Sequence, residues 1–346
     1  MKRELLVQDC VESFLKATRD RIIPATYRWE AVGKRKITSR TYENYACIIK
    51  HFTTAFYGRA IASITVQDLN DFFETKRNLS TTTINRSYRV VDMMYMWMIN
   101  TGEYDRNPLK SWDFILPCSL KPPERVEALS ELEIYNLHKS VYENRLLYPL
   151  IMLMFHTGMR TEEVIALKWK MLDWNTGHIQ IEFATKLETE YDKDGKKVGK
   201  RKTVCGRTKN RTSVRGIYVD KEILRILWDW RIYAEKHTQT QFGPEDFVFG
   251  NTSQPYWTYG GLKASLKKAL DRQVGPGHKI NLHRIRHTTG TMLAEQQATT
   301  LEIMQQLGDR CEQSVMRYIS QSNKIAKENQ RRISAAWEKL NLNGQE

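Results

Sequence analysis

A mainly helical protein with one small antiparallel β-sheet is the fold class predicted by this 346-residue sequence, and three observations predict it. Apolar residues recur at helical spacing along most of the chain, and Gly and Pro are few, at 18 and 9. Strict alternation is confined to two short stretches, residues 179–183 and 216–219. A Pro-rich interruption divides the chain into a helical domain over 1–107, a linker over 108–125 and a mixed helical and β domain over 126–346.

Each element has its own signal. Val7, Val11, Phe14 and Leu15 fall at i, i+4, i+7 and i+8, and Tyr42, Tyr45, Ile48, Ile49 and Phe52 repeat that spacing. Thr65, with Asp68 three residues on, caps a helix carrying Leu69, Phe72 and Phe73. Ser80 caps a longer one through Ile84, Tyr88, Val91, Met94 and Trp97, which Gly102 stops. That makes four helices in the first domain. Asn107-Pro108, Leu116-Pro117 and Pro122-Pro123 are hostile to helix and sheet alike, so the linker falls there.

Beyond it, Ser130-Glu131-Leu132-Glu133 has the capping-box form, and an apolar helix follows over 146–156. The two alternating stretches read as strands of a small antiparallel sheet. Between them lie the turn signal Asp192-Lys193-Asp194-Gly195 and a long basic insertion. Helices resume at Lys221. Ile325, Ile333, Ala336, Trp337 and Leu340 make the tail, about 322–346, an amphipathic segment that either packs on its own domain or, as expected here, docks on a neighbouring subunit.

Composition narrows the function. With 54 Lys plus Arg against 40 Asp plus Glu, the formal charge is +14, which draws polyanions, nucleic acid first among them. No apolar run approaches the ~20 residues of a membrane span, and the N-terminus turns polar after three apolar residues, so a soluble, cytosolic chain is expected. Cys10, Cys47, Cys118, Cys205 and Cys311 lie far apart with no CxxC pair, and are read as reduced thiols.

Four islands in the second domain carry more chemistry than packing needs. In Thr157-Gly158-Met159-Arg160-Thr161-Glu162-Glu163, Arg160 opens a helix after an apolar one, and Glu163 lies one turn on to hold it. Alone, that is an ordinary surface ion pair. Arg207-Thr208-Lys209-Asn210-Arg211 is read as the turn of the basic hairpin, where residues 196–215 hold nine Lys or Arg and no Asp or Glu. A solvated loop would show the same charge; contact with phosphates accounts better for its density. His283 and Arg286 share a helix face at i and i+3, a proton-transfer group beside a fixed cation. Leu307-Gly308-Asp309 precedes Met316-Arg317-Tyr318, and Tyr318 by itself reads first as a core aromatic.

Taken in order, these islands resemble the tyrosine site-specific recombinases of the phage integrase family, phage or conjugative-transposon integrases among them. The resemblance covers nearly the whole chain. Thr157 to Glu163 is similar to the family's first arginine box, Leu282-His283-Arg284-Ile285-Arg286-His287-Thr288 to its HxxRHT box, and Met316-Arg317-Tyr318 to its nucleophile box. Ser39-Arg40-Thr41-Tyr42-Glu43-Asn44-Tyr45 and Ser80-Thr81-Thr82-Thr83-Ile84-Asn85-Arg86 resemble its helical, SAM-like core-binding domain.

The resemblance implies a core-binding domain followed by a catalytic domain, and strand cleavage and rejoining through a covalent 3′-phosphotyrosine, without ATP, cofactor or metal. It gives Tyr318 as nucleophile, Arg160 and Arg286 as the grip on the non-bridging oxygens, and Lys209 as the acid for the leaving 5′-oxygen. It gives His283 as a phosphate contact that assists proton transfer, with Glu163 orienting the cluster. Expected DNA contacts are Arg40, Thr41, Thr82, Arg86, Lys196, Lys197, Lys200, Arg201, Lys202, Arg207 and Arg211. The implied partners are double-stranded recombination sites, three further copies in a tetramer on DNA, and accessory DNA-bending or directionality proteins, in the nucleoid of a bacterial host cell, with no membrane. The chain starts straight into the core-binding domain, so no separate arm-binding domain is expected.

One position departs from the pattern. After Leu-Gly the family usually carries His or Trp; here Asp309 stands there, a carboxylate unfavourable beside a phosphate. Three readings are open: it points away, it pairs with Arg310, or it marks a slower or conditionally active enzyme. The rival functions are a catalytically silent DNA-binding relative of the same fold and a type IB topoisomerase.

Overall fold

The structure, a computed structural model, describes residues 5–23, 36–122, 126–192, 194–208, 213–250, 257–319 and 323–342. The chain forms two compact units: Met1–Arg125 with Leu187–Val204, and Val126–Lys186 with Cys205–Glu346.

The first unit contains α1 (Val7–Arg19), α2 (Ser39–Ala55), α3 (Val66–Glu74) and α4 (Thr81–Thr101). Three of the four, α2, α3 and α4, start at side-chain caps. Thr38 accepts from the Thr41 N–H, Ser80 from the Thr83 N–H, and Thr65 and Asp68 bond each other's backbone reciprocally. Gly102 ends α4 at φ 73°, a left-handed conformation that costs glycine little. The apolar faces meet in a core centred on Phe52, Phe73, Met94, Tyr95 and Met98. Leu109, Phe114 and Leu116, from the stretch read as linker, pack on that same core.

Glu43 of α2 anchors the segment Leu187–Val204 within this unit. It accepts from the Thr189 hydroxyl at 2.8 Å and pairs with Arg201 at 2.9 Å, Lys197 at 3.4 Å and Arg40 at 3.5 Å. Three of the expected DNA contacts therefore share one carboxylate.

The second unit runs α5 (Glu131–Val141), α6 (Leu147–Thr157), α7 (Thr161–Ile165), β1 (His178–Ile181), β2 (Phe183–Tyr191), β3 (Lys197–Arg207), β4 (Arg215–Tyr218), α8 (Lys221–Thr238), α9 (Tyr259–Gln273), α10 (Leu282–Glu295), α11 (Thr300–Leu307), α12 (Glu312–Ile319) and α13 (Asn323–Leu342). Strands β2 and β3 thus belong to both units. Ser130 and Glu133 form the capping box that opens α5. Arg284 of α10 ties this entry down, donating to both Glu133 oxygens and to the Glu127 and Ala128 carbonyls.

The β structure differs from the expected single sheet. It is two separate antiparallel pairs, β1 with β4 and β2 with β3. Ile179 and Ile181 of β1 lie across from Ile217 and Arg215 of β4, and the three isoleucines are buried in the unit's core. The first six residues of β3 are exposed, so nothing apolar draws that strand onto the core sheet. The β2–β3 turn is at Asp192, whose carboxylate caps the Asp194 and Lys196 N–H groups, with Gly195 at φ 82°.

The island at 207–211 is therefore not the hairpin turn. It follows β3 and leads to β4, and Lys209 and Arg211 lie outside the described residues. The tail is one helix, α13, on which Ile333 and Ala336 are exposed. The side chains of Ile325, Trp337 and Leu340 lie outside the description. Among the described residues no helix is long and apolar enough to cross a membrane.

Candidate active site

Two helix ends build the floor of the site. α6 terminates in Gly158 at φ 65° and α11 in Gly308 at φ 66°. Both left-handed caps turn a carbonyl toward an arginine. The Gly158 oxygen accepts from Arg286 Nη1 at 2.8 Å, and the Gly308 oxygen from Arg160 Nη2 at 3.0 Å. A side chain has no room at Gly158, where a Cβ would stand 2.4 Å from Leu307 Cδ2.

Arg160 caps α7 and Glu163 is in its first turn. The carboxylate accepts from the Arg160 backbone N–H and from its Nη1, both at 2.9 Å. It is also paired with Arg215 of β4, a residue that sequence reasoning missed. Arg215 had counted as one more charge of the basic ribbon, yet its side chain is only 7% exposed. A signal was present: Arg215 lies two residues from inward-facing Ile217 on the same strand, so both point to the core. Desolvation opposes the charge on Glu163, but Arg215 and Arg160 outweigh it and hold the carboxyl below the usual range.

Arg286 projects from α10 and its side chain is 5% exposed. Desolvation and the neighbouring Arg160 both work against its charge, and Asp309 and Glu163 support it. His283, one turn earlier on the same helix, stands exposed at the rim. Partial desolvation, then Arg286 and Arg317, lower its pKa, so the imidazole is neutral near pH 7.

Tyr318 enters from α12 and is 4% exposed. Its ring meets His287 edge to face at 4.9 Å, and Gly290 leaves space for it, since a Cβ there would lie 3.0 Å from the ring. Desolvation and then Asp309 raise the phenol's pKa, while Arg286 and Arg317 pull it down. Tyr318 is at once a core aromatic and a wall of the site.

The cleft has a volume of about 210 Å³, and Arg160, His283, Arg286, Asp309 and Tyr318 all line it, with Thr161, Glu162, Tyr259, Ser314 and Arg317. The position of Asp309 decides two of the three open readings. Its Oδ1 accepts from Arg160 Nη2 at 2.7 Å and from Arg286 Nη2 at 2.9 Å. It points inward, and its recorded bonds go to the two arginines, while Arg310 is exposed and does not line the cleft. Elsewhere, Thr41 helps cap α2, Arg86 and Thr82 are exposed on α4, Lys202 pairs with Glu190, Lys196 and Lys200 are exposed on the hairpin, and the Arg207 carbonyl accepts from Lys186. Among the described residues no three His, Cys, Asp or Glu cluster to hold a metal ion.

The phage integrase family model matches residues 124–324, the stretch that contains every residue of this cleft. The chain belongs to the phage integrase family. Within the family, the XerC-like tyrosine recombinase of Caldanaerobacter subterraneus subsp. tengcongensis is 25% identical over 275 residues, 75% of this chain and 63% of that protein. The match thus spans less than two thirds of that relative's length. Among solved structures, the Tn1549 transposon integrase in complex with transposon right end DNA superposes with a TM-score of 0.67 at 18% identity, over 95% of this chain and 100% of that one. The XerH site-specific recombinase bound to a palindromic difH substrate gives 0.66 at 14% identity, over 98% of each chain. These likenesses show that the fold is that of the family.

Proposed function

We propose that this chain is a site-specific DNA recombinase of the integrase type, which cuts and rejoins strands through a covalent 3′-phosphotyrosine. The observation that carries the reading is the convergence of Tyr318, Arg160, Arg286 and His283, from three separate helices or helix ends, on one cleft. The family and the charge of +14 support it.

The chemistry follows from the residues. Tyr318 attacks phosphorus and expels a 5′-oxygen, which conserves the phosphodiester's energy in the new ester. Negative charge gathers on the non-bridging oxygens, where two guanidiniums are already oriented by backbone carbonyls. Neutral His283 at the rim is able to accept a proton, or to donate a hydrogen bond from its ring N–H to the phosphate. Lys209 is assigned as the acid for the leaving oxygen, and Glu163 as the residue that positions Arg160. No cofactor or metal enters this scheme. The first unit is assigned as the core-binding domain, with Arg40, Thr41, Thr82, Arg86 and the basic hairpin toward duplex DNA. A tetramer on two recombination sites, joined by accessory DNA-bending or directionality proteins in the bacterial nucleoid, completes the reading.

A duplex nicked so that the released strand is lost traps covalent protein. The wild-type chain should form that adduct and Tyr318→Phe should not, with DNA affinity retained; an adduct from the Phe variant would overturn the assignment. Lys209→Ala should regain most of its lost rate on a duplex with sulfur at the 5′-bridging position, because a thiolate leaves without an acid. Exchange between two sites, as opposed to plasmid relaxation alone, separates a recombinase from a type IB topoisomerase.

A further inference from the structure

The arginine pair is the cleft's anion site, and it already holds an anion supplied by the chain. A single oxygen of Asp309 accepts from Nη2 of both guanidiniums, at 2.7 and 2.9 Å, and the Asp309 side chain is only 13% exposed. A phosphodiester brings the same charge and the same ligand chemistry: one negative charge and oxygens that accept from guanidinium N–H groups. Two anions at one pair of donors would repel each other in a partly dry cleft.

We propose that Asp309 is an internal stand-in for the scissile phosphate, a latch that neutralises Arg160 and Arg286 until DNA displaces it. The inference rests on the recombinase reading for which phosphate matters, and concerns how that site is opened. Its second part follows from the chain path. Asp309 sits immediately after the Gly308 cap, whose carbonyl holds Arg160, and three residues before Glu312, the first residue of α12, which carries Tyr318. Displacing the carboxylate therefore releases the segment that leads into the nucleophile's helix. Arrival of the phosphate and freeing of the buried Tyr318 become one event, so that an empty cleft holds its nucleophile in the core.

The test is titration of the full chain with inorganic phosphate, followed by thermal melting. Asp309→Asn removes the charge and keeps the shape; Asp309→His removes the charge and supplies a donor; Asp309→Glu keeps the charge as a control. Asn and His variants should bind phosphate at least tenfold more tightly than wild type, and Glu should stay near it. Should Asp309→Asn be unfolded in plain buffer, phosphate should restore its melting transition, because it returns the missing charge. Equal phosphate affinity in wild type and folded Asn variant, or an unfolded variant that phosphate does not rescue, overturns the latch. The titration needs no turnover, so the two readings fail separately. Adduct formation with unchanged phosphate affinity sinks the latch alone; tenfold gain in a chain that never forms an adduct sinks the recombinase alone.

Discussion

Glu163 meets Arg215 with both carboxylate oxygens, at 3.2 and 3.0 Å, while the same two oxygens accept from Arg160 Nη1 and N–H. Its side chain is 2% exposed. One buried carboxylate thus sets the position of a cleft arginine and compensates a second arginine in the wall, so its loss is felt in stability and in the site together.

Glu163→Ala should cost about 3–5 kcal/mol in urea denaturation, because Arg215 is left buried and unpaired. Adding Arg215→Met should recover most of that loss, since an apolar side chain suits the vacated wall. The rate of adduct formation should stay low in both proteins, with Arg160 unclamped. A double variant that regains the rate would show that Glu163 acts only through stability.

Gly158→Ala and Gly102→Ala separate two kinds of damage. Both residues are left-handed, at φ 65° and 73°, which costs a side chain about 1–3 kcal/mol. Only Gly158 is also crowded, by Leu307, whereas nothing lies within 4 Å of a Cβ at Gly102. The Gly158 variant should therefore be the less stable by about 1–3 kcal/mol more and should lose cleavage, because its carbonyl aligns Arg286. Equal melting temperatures would contradict the crowding.

His287 predicts a pH dependence. It is 2% exposed, neither ring nitrogen has a hydrogen-bond partner among the described residues, and burial, then His283, Arg317 and Arg284, push its pKa down to about 4. Between that value and the ordinary 6.5 the unfolded chain binds the proton and the folded chain does not. Stability is accordingly full above pH 6.5 and falls toward pH 4, by roughly 3 kcal/mol over the window. Denaturation of wild type and His287→Phe at pH 7 and pH 4.5 checks it: the variant should lose less stability on acidification.

The basic hairpin should divide by partner. Replacing exposed Lys196 and Lys200 with Ala should flatten the salt dependence of DNA binding, by about 0.9 in log–log slope per lost phosphate contact, and leave stability alone. Arg201→Ala should also cost up to about 1 kcal/mol, because Glu43 loses its nearest charged partner while keeping Thr189, Lys197 and Arg40. Identical stability of the two proteins would mean that the Glu43 cluster anchors nothing.

What the sequence made legible was local or patterned. Thr65 with Asp68 and Ser130 with Glu133 announced helix starts because both partners lie three residues apart. The order of Arg160, His283, Arg286 and Tyr318 announced the site because each is embedded in a short motif. Contacts that depend on chain return were not legible. Asp309 bonds Arg160 across 149 positions, and no spacing rule reaches that far. The basic ribbon hid its own heterogeneity: charge counting treats Arg215, Arg201 and Lys196 alike, although one is buried on Glu163, one is tied to Glu43 and one is exposed. The alternation of residues 179–183 marked β1 only as far as Ile181, Phe183 already belonging to β2, and could not reveal that β1 pairs with β4 alone, because partner choice is set by the buried isoleucines on both strands.

The two glycine caps give α6 and α11 the character of gauge blocks. Since the Gly158 and Gly308 carbonyls fix Arg286 and Arg160, the spacing of the guanidiniums is written in the number of residues of each helix. Deleting one residue would turn a helix end by about 100° and retract it by about 1.5 Å, swinging the carbonyl off its arginine. A change of length in either helix therefore reaches the cleft, whereas a change of an exposed side chain along it leaves both carbonyls on their arginines.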